Sequence, residues 1–155
     1  MRKSIVPLSQ ASTVSQSSDG WLDLQQIASA EISSEDPRHP FENALRGGGG
    51  WMAADPGPQV IRLNFDEPQS IRRIRLAFRE EHRERAQEFA LFATSAAKPR
   101  REIVRQQWTF SPGGSATEVE DYTVDLPAIL SLELEIDPGR HDKSAMATLE
   151  SISIA

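Results

Sequence analysis

The residues of this chain best equipped to hold a ligand are arginines, histidines and tryptophans set in or beside its loops. Arg79 closes the run IRRIRLAFR and opens the charged stretch that continues EEHRERAQ. A guanidinium donates two parallel hydrogen bonds from a rigid fork, which suits a sugar diol or a carboxylate. Glu80, Glu81 and Glu84 stand close by, and a surface salt bridge to one of them is the plainer use of Arg79. His82 follows in the same stretch, and Arg38 and His39 sit in SSEDPRHPF. Those three could converge with Arg79 on a ligand from two sides, or be ordinary solvated loop residues. Trp51 and Trp108 could each offer an indole face to the C–H face of a sugar ring, although packing into the core is the commoner fate of so large a side chain. His141 lies in a further loop with no motif near it.

Catalytic constellations are missing. The chain has no HExxH, no GxSxG, no zinc-spaced histidine pair and no cysteine, so thiolate metal sites, disulfides and a cysteine nucleophile are excluded. Gly47 to Gly50 do not make a phosphate loop, because no Gly-Lys-Ser/Thr follows; they allow a positive-φ turn close to other backbone. Glu80 and Glu81 are adjacent loop charges, not a buried acid–base pair. A triad drawn from distant positions stays open. The expectation is a binding protein, not an enzyme, with no cofactor and no metal.

The elements that would position these residues read as strands. In IRRIRLAF, Ile74, Leu76 and Phe78 alternate with Arg73, Arg75 and Ala77, a period of two that gives one apolar face. In EFALFATS both faces are apolar, as in a strand covered on both sides. REEHRERAQEFALFA could instead form a helix from about Arg79 to Ala93 by propensity. Against that, no N-cap residue precedes it and its apolar stripe is interrupted by charge. VIRLNF points Ile61, Leu63 and Phe65 inward, and DEPQS reads as a tight turn. EIVRQQWTF and VEDYTVDL are further strands, the latter with Val119, Tyr122, Val124 and Leu126 inward. In ILSLELEI, Leu130, Leu132, Leu134 and Ile136 point in. Met146 to Ile154 closes the chain. Near the start, Trp21, Leu24, Ile27 and Ile32 are buried candidates, and FENAL is one helical turn in a long Pro/Gly-rich loop. Eight or nine short strands joined by such loops predict an all-β sandwich or barrel with antiparallel pairing.

At 155 residues the chain is long enough for one domain with a proper core. Residues 1–19, rich in Ser, Thr and Gln, read as a flexible arm, and 20–155 as the domain. No apolar run could span a membrane and the N-terminus has no apolar h-region, so a cytoplasmic location is expected. The net charge of −6 argues against general nucleic-acid affinity. Ten of the 17 Lys and Arg residues nevertheless fall between Arg72 and Arg105, while nine acids lie from Glu118 to Glu150. These are either ordinary outward strand positions or a basic patch for an anionic ligand or protein partner.

The order of motifs resembles the discoidin, or coagulation-factor type C, family of galactose-binding-like domains and the similar bacterial carbohydrate-binding modules. AEISSEDPRHPFENAL is similar to the family's opening loop and short turn, and GGGGWMA to its glycine–tryptophan corner. PQVIRLNFDEPQSIRRIRLAFR is similar to its strand pair ending in arginine, EFALFATS to the next strand, and SLELEIDPG with AMATLESISI to the last two. The resemblance covers Asp23 to Ala155. It implies an eight-stranded antiparallel jelly-roll sandwich, with ligands at loops clustered at one end. It puts Arg79 at the sugar-contacting end and makes Arg79 to Gln87 a loop, not a helix. Many members hold a structural calcium through an aspartate before the tryptophan and a glutamate before the last strand. Here LRGGGG carries no acid, and Glu150 is displaced by one position, which flips its side in a strand; no bound calcium is expected. The implied function is a non-catalytic module that recognises a carbohydrate or similar polar ligand through Arg38, His39, Arg79, His82 and Trp108. The alternative is an intracellular protein-interaction module using the basic 72–105 surface.

Overall fold

The computed structural model describes residues 20–46 and 48–155. The reading of 1–19 as an arm lies outside them. In chain order the elements are α1 (Leu24–Ile27), β1 (Ala28–Ile32), α2 (Glu42–Arg46), β2 (Trp51–Pro56), β3 (Gln59–Arg79), β4 (Arg85–Ser95), β5 (Arg101–Phe110), β6 (Thr117–Asp137), β7 (Met146–Leu149) and β8 (Ser151–Ile154). The segment after Arg79 is a short charged loop and then a strand, so tertiary pairing overrides its helical propensity. No described helix is long and apolar enough to cross a membrane.

β3 and β6 are each 21 residues long and pair with each other antiparallel. Each bends in the middle. In β3 the register slips between Asn64 and Arg73, across the stretch read as a tight turn. In β6 the partner stretch holds Pro127, which has no N–H to give the ladder, and Ala128 at φ 52°. Across this bend the sheet folds into the two layers of an antiparallel β-sandwich. One layer runs β1, the first half of β3, the second half of β6, β4, β5; the other holds β8, the second half of β3 and the first half of β6. β2 and β7 form a separate two-stranded ribbon.

The core follows the period-two pattern. Ile61, Leu63, Ile71, Ile74, Leu76, Phe78, Phe89 and Leu91 are buried between the layers, and Phe78 stacks at 5.1 Å on Phe89. Two facing assignments change. Ile129, not Leu130, enters the core, because the slip at the bend shifts parity by one. In β6, Val119 is 49% exposed and Glu118 is fully buried, since the parity of Tyr122, Val124 and Leu126 carries Glu118 and Glu120 inward.

The uneven charge along the chain is largely cross-strand matching. Arg73 donates to Asp121 at 2.6 Å, Arg62 and Arg100 both hold Glu133, and Arg105 bridges Glu88 and Glu102. Burial pushes the Glu133 carboxyl up, but the two guanidinium groups outweigh it and hold it below its usual range. Arg100 also lies 3.7 Å over the Phe92 ring. The second covered face of β4 is therefore roofed by a cation and not by a third layer. The 72–105 arginines are spread over different faces and mostly paired, so they do not make one basic patch.

Candidate functional site

The loops of one end converge on a single buried cation. Arg85 opens β4 with the parity of Phe89 and Leu91, so its side chain points inward and is fully buried. Its Nε donates to Glu80 Oε1 at 2.7 Å, and its Nη1 to Gln87 Oε1 at 2.8 Å and to the Pro138 carbonyl at 2.9 Å. Its Nη2 reaches Thr148 Oγ1 at 3.3 Å, and its guanidinium lies 4.7 Å over the Phe110 ring. Burial pulls the Arg85 pKa down, and Glu80 works against it. One side chain thus ties together the β3–β4 loop, the β6–β7 loop and the β2–β7 ribbon. The Arg83–Asp142 ion pair joins the same two loops, and Arg140 N donates to Ala86 O at 2.9 Å to fix the β6–β7 loop on the start of β4.

On this platform Arg79 is half exposed, and its nearest acid, Glu81, is 3.7 Å away. That is too far for a hydrogen bond of normal length. His82 is exposed, and its N–H is fixed on Glu80 Oε2 at 3.1 Å.

The loop carrying Arg38 and His39 is fastened by Trp51. The indole is buried and its Nε1 donates to the Ser34 carbonyl at 3.2 Å. Gly50 makes this possible: it sits at φ +81°, and a Cβ there would meet Leu149 O at 2.7 Å. Trp51 therefore positions the loop and offers no stacking face. Asp36 N then donates to Met52 O at 2.9 Å and Met52 N to His39 O at 3.2 Å. Arg38 is held by Asp36 through two side-chain bonds, of 3.3 and 3.1 Å, which hold the Asp36 carboxyl down at about 2. His39 Nδ1 is 3.5 Å from Asp36 Oδ2.

His39 and Arg79 stand on the two sides of the ribbon. Met52, bound to His39, is paired with Thr148, whose hydroxyl donates to the Arg79 carbonyl at 3.3 Å. Arg38, His39, Arg79 and His82 accordingly share one loop end. Trp108 is separate from them. It sits opposite Gln87 on the inner face of the layer, partly buried against the core, with its Nε1 buried and without a partner among the described residues. Arg85 and Thr148 were not legible as site residues. The only signal for Arg85 was its parity with Gln87, Phe89 and Leu91.

The calcium that the resemblance implies finds no carboxylate at the turn before Trp51. Among the described residues no group of three or more His, Asp or Glu side chains is arranged to hold a metal ion.

No model of a known family matches the chain, and no curated protein matches it. Solved structures do. The family 32 carbohydrate-binding module of C. perfringens NanJ, in complex with galactose, aligns with TM-score 0.64 at 14% identity, over 86% of this chain and 96% of that one. The fold is the galactose-binding-like β-sandwich. The carbohydrate-binding module of AlyQ, in complex with 4,5-unsaturated mannuronic acid, has TM-score 0.60 at 16% identity, over 83% and 95% of the two chains. The N-terminal domain of the single-strand break repair protein XRCC1 has TM-score 0.58 at 15% identity, over 79% and 91%. At these identities the likeness establishes the sandwich and leaves the ligand open.

Proposed function

We propose that this chain is a non-catalytic binding module that holds a carbohydrate or similar polar ligand at the loop end, with Arg79 as the principal contact. The observation that carries the reading is the contrast between two neighbouring arginines. Arg85 is buried with every nitrogen engaged, whereas Arg79, the last residue of β3 before the loop Arg85 anchors, is half exposed and 3.7 Å from Glu81. A guanidinium held only loosely on a fixed platform is prepared for two parallel hydrogen bonds to a diol or carboxylate. His82 flanks it, and His39 and Arg38 lie across the ribbon. Two of the structural neighbours that share the fold were solved with sugars bound, which supports the ligand class by analogy.

The test is a glycan titration of the wild type and Arg79→Ala. Loss of binding with unchanged unfolding supports the reading; equal loss of both makes Arg79 structural. Absence of any glycan binding by a folded sample would favour the protein-interaction reading.

A further inference from the structure

The two layers meet on one side along a seam that, among the described residues, no ladder of backbone hydrogen bonds crosses. β5 pairs with β4, and the first half of β6 pairs with β3. Across the seam the Tyr122 hydroxyl lies 2.9 Å from Gln106 Oε1 and 3.3 Å from Glu120 Oε2. Beneath that contact the polar groups are unmet. Glu118 is 0% exposed, and among the described residues neither carboxyl oxygen has a hydrogen-bond partner. From the other layer Gln87 comes near it, and among the described residues neither Gln87 Nε2 nor Nε1 of the cross-strand Trp108, both buried, has a partner. The Gln87 amide is near enough to favour the ionised carboxylate, yet closes no hydrogen bond of normal geometry with it.

The charged and titratable groups around Glu118 are few. Its own strand brings Glu120 and Tyr122, β4 brings Arg85, and the β3–β4 loop brings Glu80, already bound to Arg85. β5 contributes Gln106 and Trp108, and the β3 residue opposite is the apolar Phe78. A carboxylate in such a place is far costlier than a carboxylic acid, because the lost hydration is not replaced.

We propose that Glu118 is a proton-operated latch on this seam: protonated, it lets β5 close on β6, and ionised, it draws water between the layers and frees the β5 edge with Trp108. The physical sequence is simple. Loss of the proton places a second negative charge beside Glu120 on one strand face, where the buried Gln87 and Trp108 donors close no hydrogen bond to it. Water entering the seam supplies the missing hydrogen bonds and competes for the Tyr122–Gln106 contact. Burial, followed by the Glu120 charge, pushes the Glu118 carboxyl up to about 7, so the change falls near neutral pH. The latch does not depend on the ligand reading. Only its transmission through Arg85 to the loop end would rest on it.

The test follows the carboxyl carbon of Glu118 by NMR through a pH titration, assigned with Glu118→Gln. Alongside it, amide exchange in β5, corrected for intrinsic base catalysis, is followed from about pH 6 to 8. The expected result is a Glu118 midpoint near neutral, with β5 protection falling about tenfold over that range in the wild type and staying level in Glu118→Gln. A Glu118 midpoint in the ordinary glutamate range, or the same loss of protection in both proteins, would overturn the proposal. If Glu118→Gln does not fold, the wild type decides alone: coincident midpoints for the carboxyl and β5 exchange support the latch, and separate ones overturn it.

Discussion

Arg85 Nε donates to Glu80 Oε1 across 2.7 Å, with the arginine side chain fully buried and the glutamate nearly so. Burial works against the charge on both, and the pair persists because Gln87, Pro138 and Thr148 take up the remaining guanidinium donors. Breaking one side of a buried pair strands the other charge. Arg85→Ala is expected to cost about 3–5 kcal/mol of stability, read by urea denaturation. A loss of only a few tenths would mean that the loop end is not organised by this side chain.

Arg79→Ala is expected to behave in the opposite way. The side chain is half exposed and its contact with Glu81 is loose. Unfolding should shift by less than about 0.5 kcal/mol, as for surface positions generally. Ligand affinity should fall tenfold or more, which corresponds to about 1.4 kcal/mol, measured by calorimetric titration.

Gly50→Ala combines a left-handed backbone with a close approach to Leu149 O. The expected cost is about 1–3 kcal/mol, visible as a lowered unfolding midpoint. Since Gly50 sets Trp51 against Ser34, the loop carrying Arg38 and His39 should also lose amide protection.

Glu118 gives stability a pH dependence of defined sign. Its carboxyl is raised from the ordinary glutamate value of 4.5 to about 7 in the folded state. Below pH ~4.5 both folded and unfolded forms are protonated and no penalty exists. As pH rises towards 7 the unfolded state loses its proton first, so the folded state is progressively disfavoured, and the penalty saturates above that. Glu118→Gln removes it. The variant's stability relative to wild type should therefore climb with pH across this window, to at most about 3 kcal/mol. A pH-independent difference in denaturation midpoints would contradict the assignment.

Much of the fold was written in the period of two. Ile74, Leu76 and Phe78, then Phe89 and Leu91, mark the inner faces without help from tertiary information. The bends were not visible as bends, because DEPQS looks like a turn and VEDYTVDL and ILSLELEI read as separate strands, and only the shared β3–β6 register makes the breaks corners of one sheet. The same register pairs Arg62 with Glu133 and places Arg73 near Asp121, so the run of arginines looked like a patch in the sequence and is mostly a set of paired side chains in the fold. Of the site, the loop end and its exposed Arg79 were readable from strand ends. Arg85 was not, since nothing local distinguishes a buried arginine from Arg83 two residues earlier. Trp108 was assigned by type to ligand stacking, and its position opposite Gln87 turns it inward.

The measurement that tests the central claim most directly is a glycan-array screen of the folded wild type beside Arg79→Ala, with calcium present and then chelated. The account predicts binding by the wild type that survives chelation and is lost in Arg79→Ala. Failure of the folded wild type to bind any glycan, or equal binding by Arg79→Ala, would contradict it.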